Sequence, residues 1–251
     1  MPITWLSAFL DFGTRSDFAA GVAFWAAVTG YERSPLRGPN NEFATLVPPT
    51  GDDYLRVQCL AEGPGRIHLD LHVADPVAAA ARAGGIGATI VDEAADGYVV
   101  LRSPGGFVFC FVPHRRESRP GPATWPDGTR SAADQVCLDV PHAGWDRELA
   151  FWSELTEWDL RPSRVHPDFT RLVVPDDLPL RVLLQRRVDD DGAVAAHLDL
   201  AASKRAAEVE RHAALGARVL TEQAFWTVLA DPTGAPYCIT DRDPDTGLLP
   251  A

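Results

Sequence analysis

Basic residues are in short supply in this chain. Lys and Arg number 23 against 35 Asp and Glu, a formal net charge of −12. A surface of that sign repels phosphate backbones and anionic headgroups, which argues against nucleic acid or a membrane surface as partner. Cysteine is scarce too: Cys59, Cys110, Cys137 and Cys238 stand far apart with no CxxC spacing. That pattern reads as reduced thiols in a cytoplasmic protein, not as a disulfide frame. Long apolar runs are missing as well. The run Ile3 to Leu10 has no basic segment before it and is cut by Asp11. It does not read as a signal peptide, and no stretch has the length of a membrane span. The 251 residues at 46% hydrophobic content do allow one large core or two ordinary ones.

What the chain has is a repeat. Ala23-Phe24-Trp25 returns as Ala150-Phe151-Trp152, and Leu10-Asp11 as Leu138-Asp139. His68-Leu69-Asp70-Leu71 returns as His197-Leu198-Asp199-Leu200, and Pro104-Gly105-Gly106 with Cys110 as Pro232-Thr233-Gly234 with Cys238. Anchors in one order with nearly one offset mark a tandem duplication.

Each half reads as strand, helix, several strands, then strand, helix, several strands. In the first half Leu6 to Phe12 is a strand, and Asp17 caps a helix carrying Phe18, Val22, Trp25 and Val28 on one face until Gly30. Strands follow at Phe43–Val47 and Tyr54–Leu60, with Pro48 to Gly51 as the turn. The His68 strand comes next. Asp75-Pro76 opens an Ala-rich helix that Gly84-Gly85 stops. Strands at Ala88–Val91, Tyr98–Arg102 and Phe107–Val112 close the half. Residues 113–133 are polar and Pro/Gly-rich, an inter-domain linker or a strap. The second half repeats the plan: strand Gln135–Val140, helix Trp145–Thr156, and strands near Arg171–Val174 and Leu180–Gln185. The His197 strand follows, then a helix from Lys204 to Leu215 ended by Gly216, and strands at Trp226–Leu229 and Tyr237–Thr240. The tail beyond Arg242 reads as loose. The domains are therefore placed at 1–113 and 133–243, with 114–132 as linker and 244–251 as tail.

Strand alternation sorts the chemistry. Leu69, Leu71 and Val73 turn to the helices, and His68, Asp70 and His72 to the opposite face, which Cys110 shares. In the second half Gln135, Cys137 and Asp139 group with His197, Asp199, Cys238 and Thr240. A sheet with polar groups on its helix-free face either meets water or curls around a cleft. Each residue has a plain reading beside a chemical one. His68 and His197 are hydrogen-bonded cleft residues or metal ligands. Asp70 and Asp199 tie down a cross-strand donor or act as general bases. Cys110 and Cys238 are small buried hydrophobes, or else ligands or nucleophiles. Trp25 and Trp152 are core. Trp226 closes a strand or stacks on an aromatic ligand, and Arg56 and Arg181 are solvated edges or anchors for an anion.

The Phe24-Trp25 helix with its following Gly30-Tyr31, the His-Leu-Asp-Leu strand, and Asp231-Pro232-x-Gly234-x-x-Tyr237-Cys238 together resemble the vicinal-oxygen-chelate superfamily. This is the glyoxalase, bleomycin-resistance and extradiol-dioxygenase group, here in a tandem form spanning roughly 4–112 and 133–242. The resemblance implies an α+β fold of two domains, each a pair of βαβββ modules whose sheets curl into a cup. In metal-dependent members the cup holds a divalent ion that chelates neighbouring substrate oxygens. Carried over position by position, the ligand places fall on Ser7 or Gln135, His68 or His197, and Cys110 or Cys238, the last pair standing where the family has Glu. A hard ion loses its charge neutraliser in such a set. Gln135, His197 and Cys238 form the set that would take Zn²⁺ or another divalent ion. Two functions from different classes follow. One is a glyoxalase/bleomycin-resistance-like protein, its reaction unassigned, whose cup binds a small organic molecule through His68, His197, Gln135, Asp199, Trp226 and Arg181. The other is a metal-dependent lyase, isomerase or dioxygenase working in the second half. Two halves completing each other's clefts are expected in a monomer that mimics a dimer.

Overall fold

The computed structural model describes residues 2–93, 97–113, 116, 118–190 and 192–249. The first half runs β1 (Trp5–Phe12), α1 (Arg15–Thr29), β2 (Glu32–Arg33), β3 (Phe43–Val47), β4 (Leu55–Cys59), β5 (Arg66–His72), α2 (Pro76–Gly85), β6 (Thr89–Glu93), β7 (Val99–Arg102) and β8 (Val108–Val112). After β9 (Ala123–Thr124), the second half runs β10 (Arg130–Val140), α3 (Trp145–Thr156), β11 (Leu160–Pro162), β12 (Phe169–Leu172), β13 (Arg181–Arg186), β14 (Ala195–Ala202), α4 (Arg205–Ala214), β15 (Arg218–Glu222), β16 (Trp226–Ala230) and β17 (Pro236–Thr240). Two mixed sheets result, in the orders β2-β3-β4-β1-β5-β8-β7-β6 and β11-β12-β13-β10-β14-β17-β16-β15. The two orders are the same, strand for strand. In each, the His-Leu-Asp-Leu strand pairs in parallel with the Cys-bearing strand: Asp70 faces Cys110, and Asp199 faces Cys238. No helix among the described residues is long and apolar enough to cross a membrane.

Local chemistry explains the elements and corrects several expectations. Thr14, not Asp17, caps α1: its Oγ1 accepts from the Asp17 backbone N–H at 3.1 Å and donates to the Asp17 carboxylate at 2.7 Å. A capping hydroxyl leaves Asp17 in the first turn, where its charge suits the helix dipole. Gly30 ends α1 at φ +72, as the spacing implies, and Asp75 caps α2. Gly84 and Gly85 stay inside α2, and it is Gly87 that turns out, at φ +111. Strands β2, β9 and β11, of two or three residues, carry too little apolar alternation to be seen in sequence, and every residue of β15 is exposed. Residues 113–133 are not a plain linker. Ala123–Thr124 pairs with β10, and Trp125 donates to Ser131 Oγ at 2.8 Å. His114, Arg115 and Glu117 lie outside the described residues. The tail is anchored instead of loose, because Arg130 ion-pairs with Asp245 and Pro244 is buried. Pro250 lies outside the described residues.

By contacts the chain separates into two compact units that do not coincide with the sequence halves. One takes Met1–Phe9, Ile67–Glu117 and Val136–Ala196; the other takes Leu10–Arg66, Ser118–Gln135 and His197–Ala251. Strands β1 and β10 contribute to both. In the first unit, Phe109 of β8 packs edge-on against Trp152 of α3, with ring centroids 5.3 Å apart. In the second, Tyr237 of β17 does the same with Trp25 of α1 at 5.2 Å. The repeated Phe-Trp helix and the repeated turn-and-strand therefore meet physically, each drawn from the opposite half.

The polar fastening differs between units. Trp25 donates its indole N–H to Asp231 at 3.0 Å, and the same carboxylate accepts from the Thr233 and Ala235 backbones. At the position of Asp231 the other unit has Ser103. There Glu148, from the helix itself, accepts from Trp152 at 2.9 Å and from the Gly105 backbone N–H. Gly105 admits that carboxylate because a Cβ there would meet Glu148 Oε1 at 2.8 Å and Val194 at 2.5 Å. On α4, fully buried His212 sits 2.9 Å from the Tyr237 hydroxyl and 3.2 Å from Glu208.

Two outcomes follow. Replacing Asp231 with Ala strands the Trp25 N–H and two backbone donors, and should cost about 2–3 kcal/mol in urea unfolding; a loss below about 0.5 kcal/mol contradicts the fastening. Burial pushes Glu208 up, but hydrogen bonds from His212, Arg211 and Ser131 outweigh it and hold its carboxyl at about 2. Burial pushes His212 below its ordinary 6.5, partly offset by Glu208. The Glu208 contribution is complete above its ordinary 4.5 and fades as pH falls toward about 2. A histidine kept neutral by the fold costs stability as pH falls below 6.5. Both act in one direction, so the melting temperature should fall on acidification from pH 6.5, and Glu208→Gln should flatten the part below 4.5. A melting temperature unchanged by acid contradicts this.

Candidate functional site

Alternation in β5 and β14 sets up both polar faces. Leu69 pairs with Phe109, and Leu71 with Phe111, on the helix side; all four are buried. His68, Asp70 and His72 are thereby sent to the other face. There the His68 ring stacks on Phe9 of β1, centroids 4.5 Å apart and planes within 10°. His68 Nε2 lies 3.8 Å from Asp70 Oδ1. Ser7, two residues before Phe9, is bound to His72 Nε2 at 2.9 Å, and both side chains are fully buried. The first-strand position of the first half is thus a hydroxyl already paired with an imidazole.

The second face belongs to β14, β17 and the start of β10. His197 Nε2 lies 3.4 Å from Asp199 Oδ1. Gln135 donates its amide to Asp199 Oδ2 at 2.5 Å. Arg242 brings Nη1 to within 3.7 Å of the same oxygen and Nη2 onto Asp134. Burial pushes the Asp199 carboxyl up, but the His197 imidazole, the Arg242 charge and the Gln135 amide together hold it below the usual carboxylate range. Cys238 answers oppositely: burial and the Asp199 charge push its thiol up to about 11. At neutral pH it is a protonated, poorly nucleophilic sulfur.

The expected residues come together only in part. His197, Gln135, Asp199 and Cys238 meet in one cluster, and Trp226 shares its face: Trp226 pairs with Thr240, and Val228 with Cys238. Arg181 lies on β13, in the other compact unit, as do His68 and Asp70. Arg56 is engaged by Asp53 at 3.1 Å. Sequence reasoning missed Arg242, Asp134 and Phe9. Arg242 was legible: counting in twos from Cys238 and Thr240 lands on it.

Two groups have ligand atoms within 4.8 Å of one another inside one unit, His68 with Asp70 and Cys110, and His197 with Asp199 and Cys238. Imidazole, carboxylate and thiol suit a borderline ion such as Zn²⁺; a hard ion prefers an all-oxygen shell. By donor chemistry the residues fit the former.

With parallel His-bearing and Cys-bearing strands in twice-repeated sheets of one order, the fold is that of the vicinal-oxygen-chelate superfamily. A family model described as a glyoxalase-like domain matches residues 7–112 and again 135–240, and the chain belongs to that family. No curated protein matches the sequence. Among solved structures, the Mn(II)-bound glyoxalase from Novosphingobium aromaticivorans shares 16% identity at a TM-score of 0.63, covering 100% of this chain and 88% of that one. A catechol 2,3-dioxygenase shares 13% at 0.58, covering 96% and 88%. A fusion of a xylose isomerase-like TIM barrel with 4-hydroxyphenylpyruvate dioxygenase shares 14% at 0.62; this chain covers 49% of its length. At these identities the likeness is one of fold.

Arg242→Met removes the guanidinium that pairs with buried Asp134 and Asp199. We expect a loss of about 3–5 kcal/mol in denaturant unfolding; a change under about 1 kcal/mol contradicts the pairing.

Proposed function

We propose that the protein binds a small, uncharged organic molecule on the polar sheet face of the second half, with no metal required. The observation that carries this is the state of Asp199. A metal site needs a carboxylate free to neutralise the ion, whereas Asp199 already has Gln135 on one oxygen and the Arg242 guanidinium beside it. At the last-strand position a thiol, Cys238, stands where metal-dependent relatives carry a carboxylate. Gln135 and His197 orient Asp199, and Trp226 supplies an aromatic wall. His68 and Asp70 are the matching pair in the first half, and Arg181 on β13 is an anchor in the unit that holds that pair. In the same reading the domains run 1–113 and 133–243, joined by 114–132 and followed by the tail 244–251, in a monomeric cytoplasmic protein.

The second reading is a metal-dependent lyase, isomerase or dioxygenase, favoured by the mutual proximity of His197, Asp199 and Cys238 donor atoms. These three would hold the ion, with Gln135 beside Asp199. When bound, it would polarise a substrate oxygen. His197 and Asp199 would then give up their mutual contact.

Phenol, a minimal aromatic probe, separates the readings. Metal analysis of untagged protein should find substoichiometric Zn, Mn and Fe. Phenol should quench tryptophan fluorescence saturably, equally with and without EDTA, and less in Trp226→Leu. Binding that appears only after a divalent ion is added, and disappears in His197→Ala, sinks the metal-free reading.

A further inference from the structure

Two polar atoms at the centre of the second cluster lack hydrogen-bond partners: Asp199 Oδ1 and Arg242 Nε are both buried without one. Asp199 Oδ1 lies 3.4 Å from His197 Nε2, and Arg242 spends its two Nη groups on Asp134 and Asp199 Oδ2. A buried acceptor and a buried donor left open cost about 1–3 kcal/mol each, so something polar is expected to close them. The residues that own these atoms meet at 3.7 Å. One ligand can therefore address both, by donating a hydroxyl proton to Asp199 and accepting from Arg242.

Charge narrows the class. Asp134 and Asp199 against Arg242 leave one excess negative charge when His197 is neutral. A carboxylate or phosphate entering this set would add to the excess in a dry site. A carbonyl oxygen accepts from Arg242 without adding charge. We infer that the orphaned Asp199–Arg242 pair is a recognition site for an uncharged hydroxycarbonyl compound, its hydroxyl on Asp199 Oδ1 and its carbonyl on Arg242 Nε. This deepens the binding reading above and rests on it, and it makes the excess carboxylate of the Asp134–Asp199 pair the feature that selects against anions.

The test uses the full-length protein labelled with ¹⁵N, following the Arg242 Nε–H resonance, assigned through the backbone and checked by its absence in Arg242→Lys. Hydroxyacetone is the probe; acetone lacks the hydroxyl and lactate carries the charge. The inference expects a saturable shift with hydroxyacetone, none with acetone or lactate at equal concentration, and roughly tenfold weaker binding in Asp199→Asn, where the charged acceptor is gone. Asp199→Asn is isosteric, so the comparison stands even where Arg242→Lys fails to fold. A resonance that never moves, or moves equally with all three compounds, overturns the inference and assigns the pair to an ordered water. Phenol quenching that persists while hydroxyacetone is silent defeats this inference alone. Silence to both probes defeats the binding reading with it.

Discussion

Period-two alternation in the two His-Leu-Asp-Leu strands is the constraint from which the rest of this structure follows. A strand can satisfy a helix layer and a polar face together only by assigning alternate residues to each. Leu69 and Leu71, like Leu198 and Leu200, are buried to within 1% exposure. Their neighbours in sequence then have one place left to go. Three imidazoles and two carboxylates are delivered to the opposite faces of the sheets, each carboxylate beside a cysteine in the next strand. A one-residue slip would reverse every one of these placements, so the chemistry and the core are fixed by a single register.

The duplication adds a second layer of logic. The Phe-Trp helix of one half is fastened to the turn and strand of the other, yet the fastening is solved twice with different residues. Asp231 comes from the turn; Glu148 comes from the helix, and Gly21 stands at its counterpart in α1. Gly21 leaves room for Phe12, whose ring lies 2.1 Å from where a Cβ would be. The two copies have thus exchanged a carboxylate for space, which is how a repeat drifts in sequence while the tryptophan N–H stays satisfied.

Much of this was readable beforehand. The long periodic elements, their order and the sorting of faces follow from apolar spacing, and the helix expected around 145–156 is found there. What escaped did so for physical reasons. Strands of two or three residues such as Glu32–Arg33 carry no alternation to read. The segment 113–133 looks like a linker by composition, but half-buried Trp125 carries the Arg211 guanidinium carbon 3.5 Å from its ring centre. Arg242 carried no role in the sequence reading because arginine is rarely buried, and the fold alone reveals that Asp134 and Asp199 receive it. The metal question turned on the same point. Sequence shows Cys238 where a carboxylate is expected but not that Asp199, two residues from His197, arrives beside it already partnered.

The most direct measurement compares both faces of both strands. Leu69→Asn and Leu200→Asn should each lower unfolding free energy by more than about 3 kcal/mol, since a core leucine is replaced by an unpaired amide. His68→Gln and His197→Gln should each cost less than half as much, since their face carries polar partners instead of core. If the histidine variants prove the more damaging in either half, the imidazoles belong to the core and the polar face does not exist.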